Sequence, residues 1–415
     1  MTQYLQRAEK IMARINELAS ISEDALGITR TFGTRQFMKG SKRVSSWMEQ
    51  AELETRVDNI GNVRGRLVSN RPRAKTFVIA SHIDTVINAG KFDGPMGVLM
   101  GLDLMEQLKQ TKAALPFNIE LIAFSDEEGV RFHTTYLGSK VAAGSFDESL
   151  LQRKDAAGVS LREAIQLING NIKKLQDDAI AKEEWLGYFE IHIEQGPVLY
   201  ELDIPVAVVT DIAGQNRVEI IFKGIAGHAG TIPMNKRADA LCCAAEFILE
   251  TEKLAHEHKD KIVATVGKLN IPNSASNVIP GEVVCTLDVR SASEEQLSFS
   301  CQSLRNICNE ITEKRKMTFD WNLIQGTKPV ACNKELSKTL AEAITASGYE
   351  VVNLVSGAGH DAVAISEVAP VSMLFVKCFK GISHNPLENV EIKDIAAAIK
   401  VSDNFIQHLI NKHKN

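Results

Sequence analysis

The 415-residue chain carries 47 Lys and Arg against 52 Asp and Glu, a formal net charge of −5, which gives no footing for nucleic acid or an anionic membrane. Its composition, 44% hydrophobic and 24% charged, is that of a soluble globular protein with one large or two medium domains, and no apolar run reaches the roughly 18 residues that span a bilayer. The polar start at residues 1–9 is not expected to be a secretory leader, and seven cysteines without Cys-x-x-Cys spacing point to reduced thiols in a cytoplasm rather than disulfides or a cysteine zinc site.

In chain order, Leu5, Ile11, Met12, Ile15 and Leu18 recur at helical spacing over residues 5–19, and residues 41–53 suggest a second helix. Thr55 to Leu67 alternates apolar and polar around Asn59-Ile60-Gly61-Asn62, a hairpin signal. Thr76 to Ala80 is the short β-branched run of a buried parallel strand. It leads into Ser81-His82-Ile83-Asp84-Thr85-Val86, then Gly90-Lys91-Phe92-Asp93-Gly94, and a helix is expected over Gly97 to Gln110. Ile119 to Phe124 is a second buried strand, ending in Ser125-Asp126-Glu127-Glu128-Gly129. Residues 138–186 read as helical, a charged surface excursion. A third strand from Tyr188 ends in His192-Ile193-Glu194-Gln195-Gly196, and Val206 to Ile212 is a fourth.

From Gly214 the rhythm changes. Strand Arg217–Phe222, helix Arg237–His256, strands Lys261–Leu269 and Glu282–Val289, helix Ser293–Lys314 and strand Met317–Leu323 give βαββαβ, the split βαβ of a ferredoxin-like domain. After residue 328 the α/β rhythm resumes with helix Glu335–Ser347, strands Glu350–Leu354 and Pro370–Val376, and a closing helix Ile392–Ile410. The expected architecture is an α/β catalytic domain in two parts, 1–212 and 329–415, interrupted at 213–328 by a smaller α+β domain with a free sheet edge.

Open α/β sheets place their chemistry at the carboxyl ends of strands. Four such ends or loops carry metal-type donors here: His82 with Asp93, the pair Glu127-Glu128, His192, and His384 in Gly381-Ile382-Ser383-His384-Asn385-Pro386. A lone histidine is more often a satisfied core or surface group than a ligand. Together these groups would make a two-metal site of nitrogen and oxygen donors, suited to zinc, manganese or cobalt. Asp84 points to the same side as His82 and can hold its other ring nitrogen. Adjacent residues in extended chain point apart, so one of Glu127 and Glu128 can bind metal while the other moves a proton. The bland alternative is a solvated acidic loop, since Asp126 makes three acids in a row.

These motifs, together with Gly227-His228-Ala229-Gly230, resemble the dinuclear-metal amidohydrolases related to aminoacylase and carboxypeptidase G, and most closely their amidase/hydantoinase/carbamoylase branch, over residues 40–410. The resemblance implies a discontinuous metallopeptidase-like catalytic domain with an inserted ferredoxin-like lid and dimerisation domain, working as a homodimer. It implies two divalent ions, Mn2+ or Zn2+, with His82 and His384 as terminal ligands, Asp93 bridging, and Glu128 and His192 completing the shells. Glu127 would be the general base, Asp84 would orient His82, and His228 would come from the partner subunit to stabilise the oxyanion.

Arg217, Asn277 and Arg290 lie in segments that resemble the family's substrate-binding segments, although Asn216 departs from the Arg or Thr usual there. A guanidinium can bind a carboxylate through two hydrogen bonds, and Asn277 has the donor and acceptor to read a ureido group. The implied substrate is a small ureido compound with a carboxylate. Ile212 to Gln215, Gly227 to Met234 and Ser356 to Ala362 look most like the branch members that hydrolyse allantoate. An N-carbamoyl-L-amino-acid hydrolase or a β-ureidopropionase is the nearest alternative; a non-catalytic metal-binding relative is the alternative of a different class.

Overall fold

The computed structural model describes residues 2–414. Contacts divide the chain into two compact units. The larger holds the chain up to Thr210, Cys332–Leu354 and everything from His360 on; the smaller holds Asp211–Ala331 and Val355–Gly359. Among the described residues no helix is long and apolar enough to cross a membrane, and all seven cysteines are free thiols.

The larger unit begins with α1 (Thr2–Ala19) and α2 (Arg35–Gln50), then the antiparallel hairpin of β1 (Glu54–Val57) and β2 (Val63–Leu67). Val57 pairs with Val63 across the Asn59–Asn62 turn. Next come β3 (Thr76–His82), α3 (Pro95–Gln110) and β4 (Asn118–Phe124). Every residue of β3 and β4 is buried, as a strand covered on both faces requires.

The segment read as helical over 138–186 is broken instead. It holds α4 (Leu137–Ala143) and α5 (Leu161–Leu167), with 3-10 turns at Glu148–Gln152, Ile172–Asp178 and Lys182–Glu184. Gly144, at φ +72°, ends α4, and Gly158 takes φ +82° further on. No helix continues through such a residue. β5 (Trp185–Ile193), α6 (Val198–Leu202) and β6 (Val206–Ile212) follow.

The smaller unit contains β7 (Gly214–Lys223), β8 (Gly227–His228), α7 (Ala240–Glu257), β9 (Val263–Asn270), β10 (Val278–Ile279), β11 (Glu282–Ser291), α8 (Glu294–Arg315), β12 (Thr318–Thr327) and β13 (Val330–Ala331). Its main sheet runs β12-β7-β11-β9 with every neighbour antiparallel, the order of a ferredoxin-like βαββαβ unit. Val218, Ile220 and Phe222 of β7 and Val283, Cys285, Leu287 and Val289 of β11 alternate inward against Phe247, Leu304 and Cys308 of the helices. The same alternation leaves Arg217, Asp288 and Arg290 on the uncovered face.

Back in the larger unit are α9 (Lys334–Ala346), β14 (Asn353–Ser356, whose last two residues count with the smaller unit), α10 (Ala362–Ile365), β15 (Val371–Val376) and α11 (Ile392–Lys412). β3 lies between β4 and β5, parallel to both, and β15 lies parallel to β5 and antiparallel to β6. The sheet thus runs β1-β2-β4-β3-β5-β15-β6. Residues 355–359, which the sequence reading leaves with the larger domain, pack with the smaller unit: Arg290 Nη1 donates to the Gly357 carbonyl at 2.7 Å.

Candidate metal centre

β3, β4, β5 and β15 are parallel neighbours, so their carboxyl ends open on one side of the larger unit. His82 ends β3, His192 sits next to last on β5, Glu127 and Glu128 follow β4, and His384 follows β15. The structure brings these groups around Asp93. Asp93 Oδ1 lies 3.4 Å from His82 Nε2 and 3.2 Å from His192 Nε2, and the two imidazole nitrogens are 3.5 Å apart. Asp93 Oδ2 lies 3.3 Å from His384 Nε2, which is 3.4 Å from Glu128 Oε1. Each carboxylate oxygen therefore faces its own pair of donors.

The donor set fits a pair of cations. His82 Nδ1 bonds the Asp84 carbonyl at 3.1 Å and His192 Nδ1 bonds the Ile193 carbonyl at 3.0 Å. A carbonyl only accepts, so each Nδ1 carries a proton, and each Nε2, once it gives up its own, turns a lone pair toward its neighbour and toward Asp93. Converging lone pairs and a carboxylate need a positive charge between them. Two ligands at about 2.1 Å from one ion at a tetrahedral angle stand about 3.4 Å apart, the separations seen here. The field asks for the same thing. The hydrogen-bonding carboxylates of Asp93 and Glu128 push His384 up to about 10. Asp93 itself is held well below the usual carboxylate range: burial opposes this, but the surrounding histidines prevail.

Asp84 approaches His82 with two groups. Its carboxylate stands 3.6 Å from His82 Nδ1, and the nearer partner of that nitrogen is the main-chain carbonyl of Asp84. The carboxylate oxygens are engaged elsewhere: Oδ1 accepts the Glu127 amide and Oδ2 the Glu128 amide, both at 3.1 Å. Asp84 thus ties the β3 end to the acidic turn. Glu127 is buried and near both His82 and Glu128. Burial pushes its carboxyl well above the ordinary glutamate range, with Glu128, Asp361 and Asp84 adding to the effect and His82 opposing it. A carboxyl so placed holds a proton more readily than an ordinary glutamate and can take one up and return it.

The acidic turn is also pinned by the hairpin tip, a role invisible in the motif itself. Asn62 Oδ1 accepts the Ser125 amide at 2.9 Å, and Asn62 Nδ2 donates to Asp58 and Gly138 at 2.9 and 3.0 Å. The carbonyls of Ser125, Asp126 and Glu127 in turn accept the amides of Gly138, Leu137 and Tyr136. Asn62→Ala would strand buried polar groups; a loss of about 1–3 kcal/mol is expected, read as a lower urea midpoint at unchanged slope. Gly94 is constrained more tightly still. At φ +81° its Cβ would lie 2.5 Å from the His82 ring, so only glycine lets the Asp93 turn pass the imidazole.

The remaining candidate residues belong to the smaller unit. Arg217 and Arg290 flank Asp288: Arg290 Nε and Nη2 donate to its two oxygens at 3.0 and 3.1 Å, Arg217 Nε at 3.2 Å, and Gln215 Nε2 also donates to it. They line a cavity of about 720 Å³ together with Val263 and Ile324. Asn216, the departure from the family pattern, donates to Cys301 Sγ of α8 on the covered face, so it leaves the two arginines undisturbed. His228 and Asn277 are exposed and adjoin the β8–β10 pair, where Asn277 O accepts the Ala229 amide at 2.9 Å. His228 Nδ1 accepts the Gly230 amide at 3.0 Å. That fixes the proton of the neutral ring on Nε2, as an outward-facing donor.

The chain matches the family model of Peptidase family M20/M25/M40 over residues 78–408, and it belongs to that family. It is 36% identical to allantoate deiminase 2 of Glycine max, over 97% of this chain and 89% of that protein. It is 33% identical to the N-carbamoyl-L-amino-acid amidohydrolase of Pseudomonas sp. (strain NS671), over 97% of this chain and 98% of that protein. Among solved structures, an amidase of the hydantoinase/carbamoylase family from Burkholderia multivorans is similar with a TM-score of 0.89 at 33% identity, covering 96% of this chain and 97% of the other.

Proposed function

We propose that this chain is a metal-dependent amidohydrolase that cleaves a ureido C–N bond of allantoate, giving ureidoglycine, ammonia and carbon dioxide. The observation that carries the reading is the carboxylate of Asp93 set between two donor pairs, with Glu127 buried beside them. His82 and His192 would hold one divalent ion, His384 and Glu128 the other, and Asp93 both; Mn2+ and Zn2+ suit these donors. When bound, such ions polarise a carbonyl oxygen and make water more acidic. Glu127 takes the proton of the attacking water and returns it to the departing nitrogen, which leaves as ammonia. The carbamate left on the substrate then loses carbon dioxide. His228 Nε2–H donates to the developing oxyanion.

Arg217 and Arg290 bind the substrate carboxylate and Asn277 the ureido group. Arg290→Ala is expected to raise KM by about 10–100-fold, the range for a lost charge-assisted hydrogen bond, with metal content unchanged. We further infer a homodimer in the cytoplasm. β9 pairs only with β11 among the described residues, leaving its outer edge for a second copy, and Leu249 of α7 is 66% exposed. In that dimer His228 of one copy serves the site of the other. Free thiols throughout suit a reducing compartment.

One observation favours the rival substrate. Val263 and Ile324 line the same cavity as the arginines, which would suit the apolar side chain of an N-carbamoyl-L-amino acid. Ammonia release from allantoate and from N-carbamoyl-L-amino acids, measured side by side on Mn2+-loaded protein, decides between them. Faster turnover of allantoate is the expected result; preference for the carbamoyl amino acids would overturn the assignment.

A further inference from the structure

Glu388 takes no part in the roles given above. It is 3% exposed and reaches from the loop that carries His384 into the turn that carries Asp93. Its Oε1 accepts the main-chain amides of Phe92 at 2.7 Å and Asp93 at 3.1 Å. Its Oε2 lies 3.2 Å from Ser383 Oγ, and that hydroxyl donates to Asp93 Oδ2 at 2.6 Å. One side chain therefore grips the backbone of Asp93 directly and lies beside the Ser383 hydroxyl that holds its carboxylate. Gly90 makes the approach possible: a Cβ there would sit 2.3 Å from Glu388 Cβ and 2.5 Å from the carboxyl carbon. The loop is folded for the purpose, with Glu388 N donating to Asn385 O at 3.0 Å and Leu387 N to Asn385 Oδ1 at 2.9 Å. Gln195 Nε2 joins from the end of β5, donating to the same Asp93 oxygen at 2.7 Å.

We propose that Glu388 is a positioning residue that locks the Asp93 turn to the His384 loop, so that the two cation positions form as one unit. It rests on the reading of Asp93 as the bridging ligand. Two flexible loops that each supply ligands bind an ion only after they are ordered, and a carboxylate that fixes one to the other removes that cost in advance.

The test is titration of metal-free protein with Mn2+, the free ion being read by electron paramagnetic resonance, for the unsubstituted chain, Glu388→Ala, Glu388→Gln and Asp93→Ala. Glu388→Ala is expected to weaken Mn2+ binding about 10–100-fold. Glu388→Gln keeps an acceptor for the two amides and is expected to bind like the unsubstituted protein. Undiminished binding by Glu388→Ala alongside loss in Asp93→Ala overturns the proposal and leaves the ligand reading standing. Undiminished binding by Asp93→Ala overturns that reading, and the proposal with it. Should the alanine variant not fold, Glu388→Asp decides. Its carboxylate falls one methylene short of the amides, so weakened binding is expected, and undiminished binding overturns the proposal.

Discussion

Glu127→Gln is expected to keep its metal and its substrate and to lose about 10²–10⁴ in kcat, the usual worth of a positioned acid–base group. The substitution is nearly isosteric, so the acidic turn should hold: Asp84 grips that turn through the amides of Glu127 and Glu128, not through their side chains. What is lost is the ability to take a proton and give it back. The environment supports that role, because burial and the neighbouring acids Glu128, Asp361 and Asp84 raise the Glu127 carboxyl out of its ordinary range. Ammonia release and metal content, measured on the same preparation, check the prediction. A variant that turns over normally would remove Glu127 from the reaction.

The larger effect is expected at Asp93. Asp93→Ala takes one ligand from each donor pair at once, leaving His82 with His192 and His384 with Glu128. Loss of the ions' contribution, several kcal/mol of transition-state stabilisation, corresponds to a fall of at least about 10³-fold in kcat. Chelation of the unsubstituted protein should produce the same loss, and Mn2+ or Zn2+ added back should restore it. The alanine variant should not recover at any metal concentration that leaves the protein soluble. Recovery of Asp93→Ala on adding metal would show that each donor pair binds an ion without the shared carboxylate.

Much of this was legible before any coordinates. β3 and β4 are short apolar runs bounded by turns, buried along their whole length, and a strand of that kind announces itself by composition. The ferredoxin-like unit shows in the alternation of β11, which buries every second residue. The donors could be named because histidines and acids at strand ends are few. What stayed hidden is whatever depends on two distant segments meeting. Asn62 reads as a turn residue until its side chain is found on Ser125, 63 positions away. Nothing in the sequence singles out Glu388, whose side chain is found on Phe92, 296 positions away. The excursion that begins with α4 has a helical composition; two glycines at positive φ decide otherwise. Asp84 is legible as a neighbour of His82 by the reach of its side chain; that its own carbonyl comes closer shows only in the fold.

The account turns on Asp93 standing between two cations. Anomalous diffraction from crystals of Mn2+- or Zn2+-reconstituted protein, collected across the metal edge, tests it most directly. Two peaks about 3.5–4 Å apart are expected, one beside His82 and His192, the other beside His384 and Glu128, with Asp93 reaching both. A single peak with Asp93 bound on one side only, or peaks away from these five side chains, would contradict it.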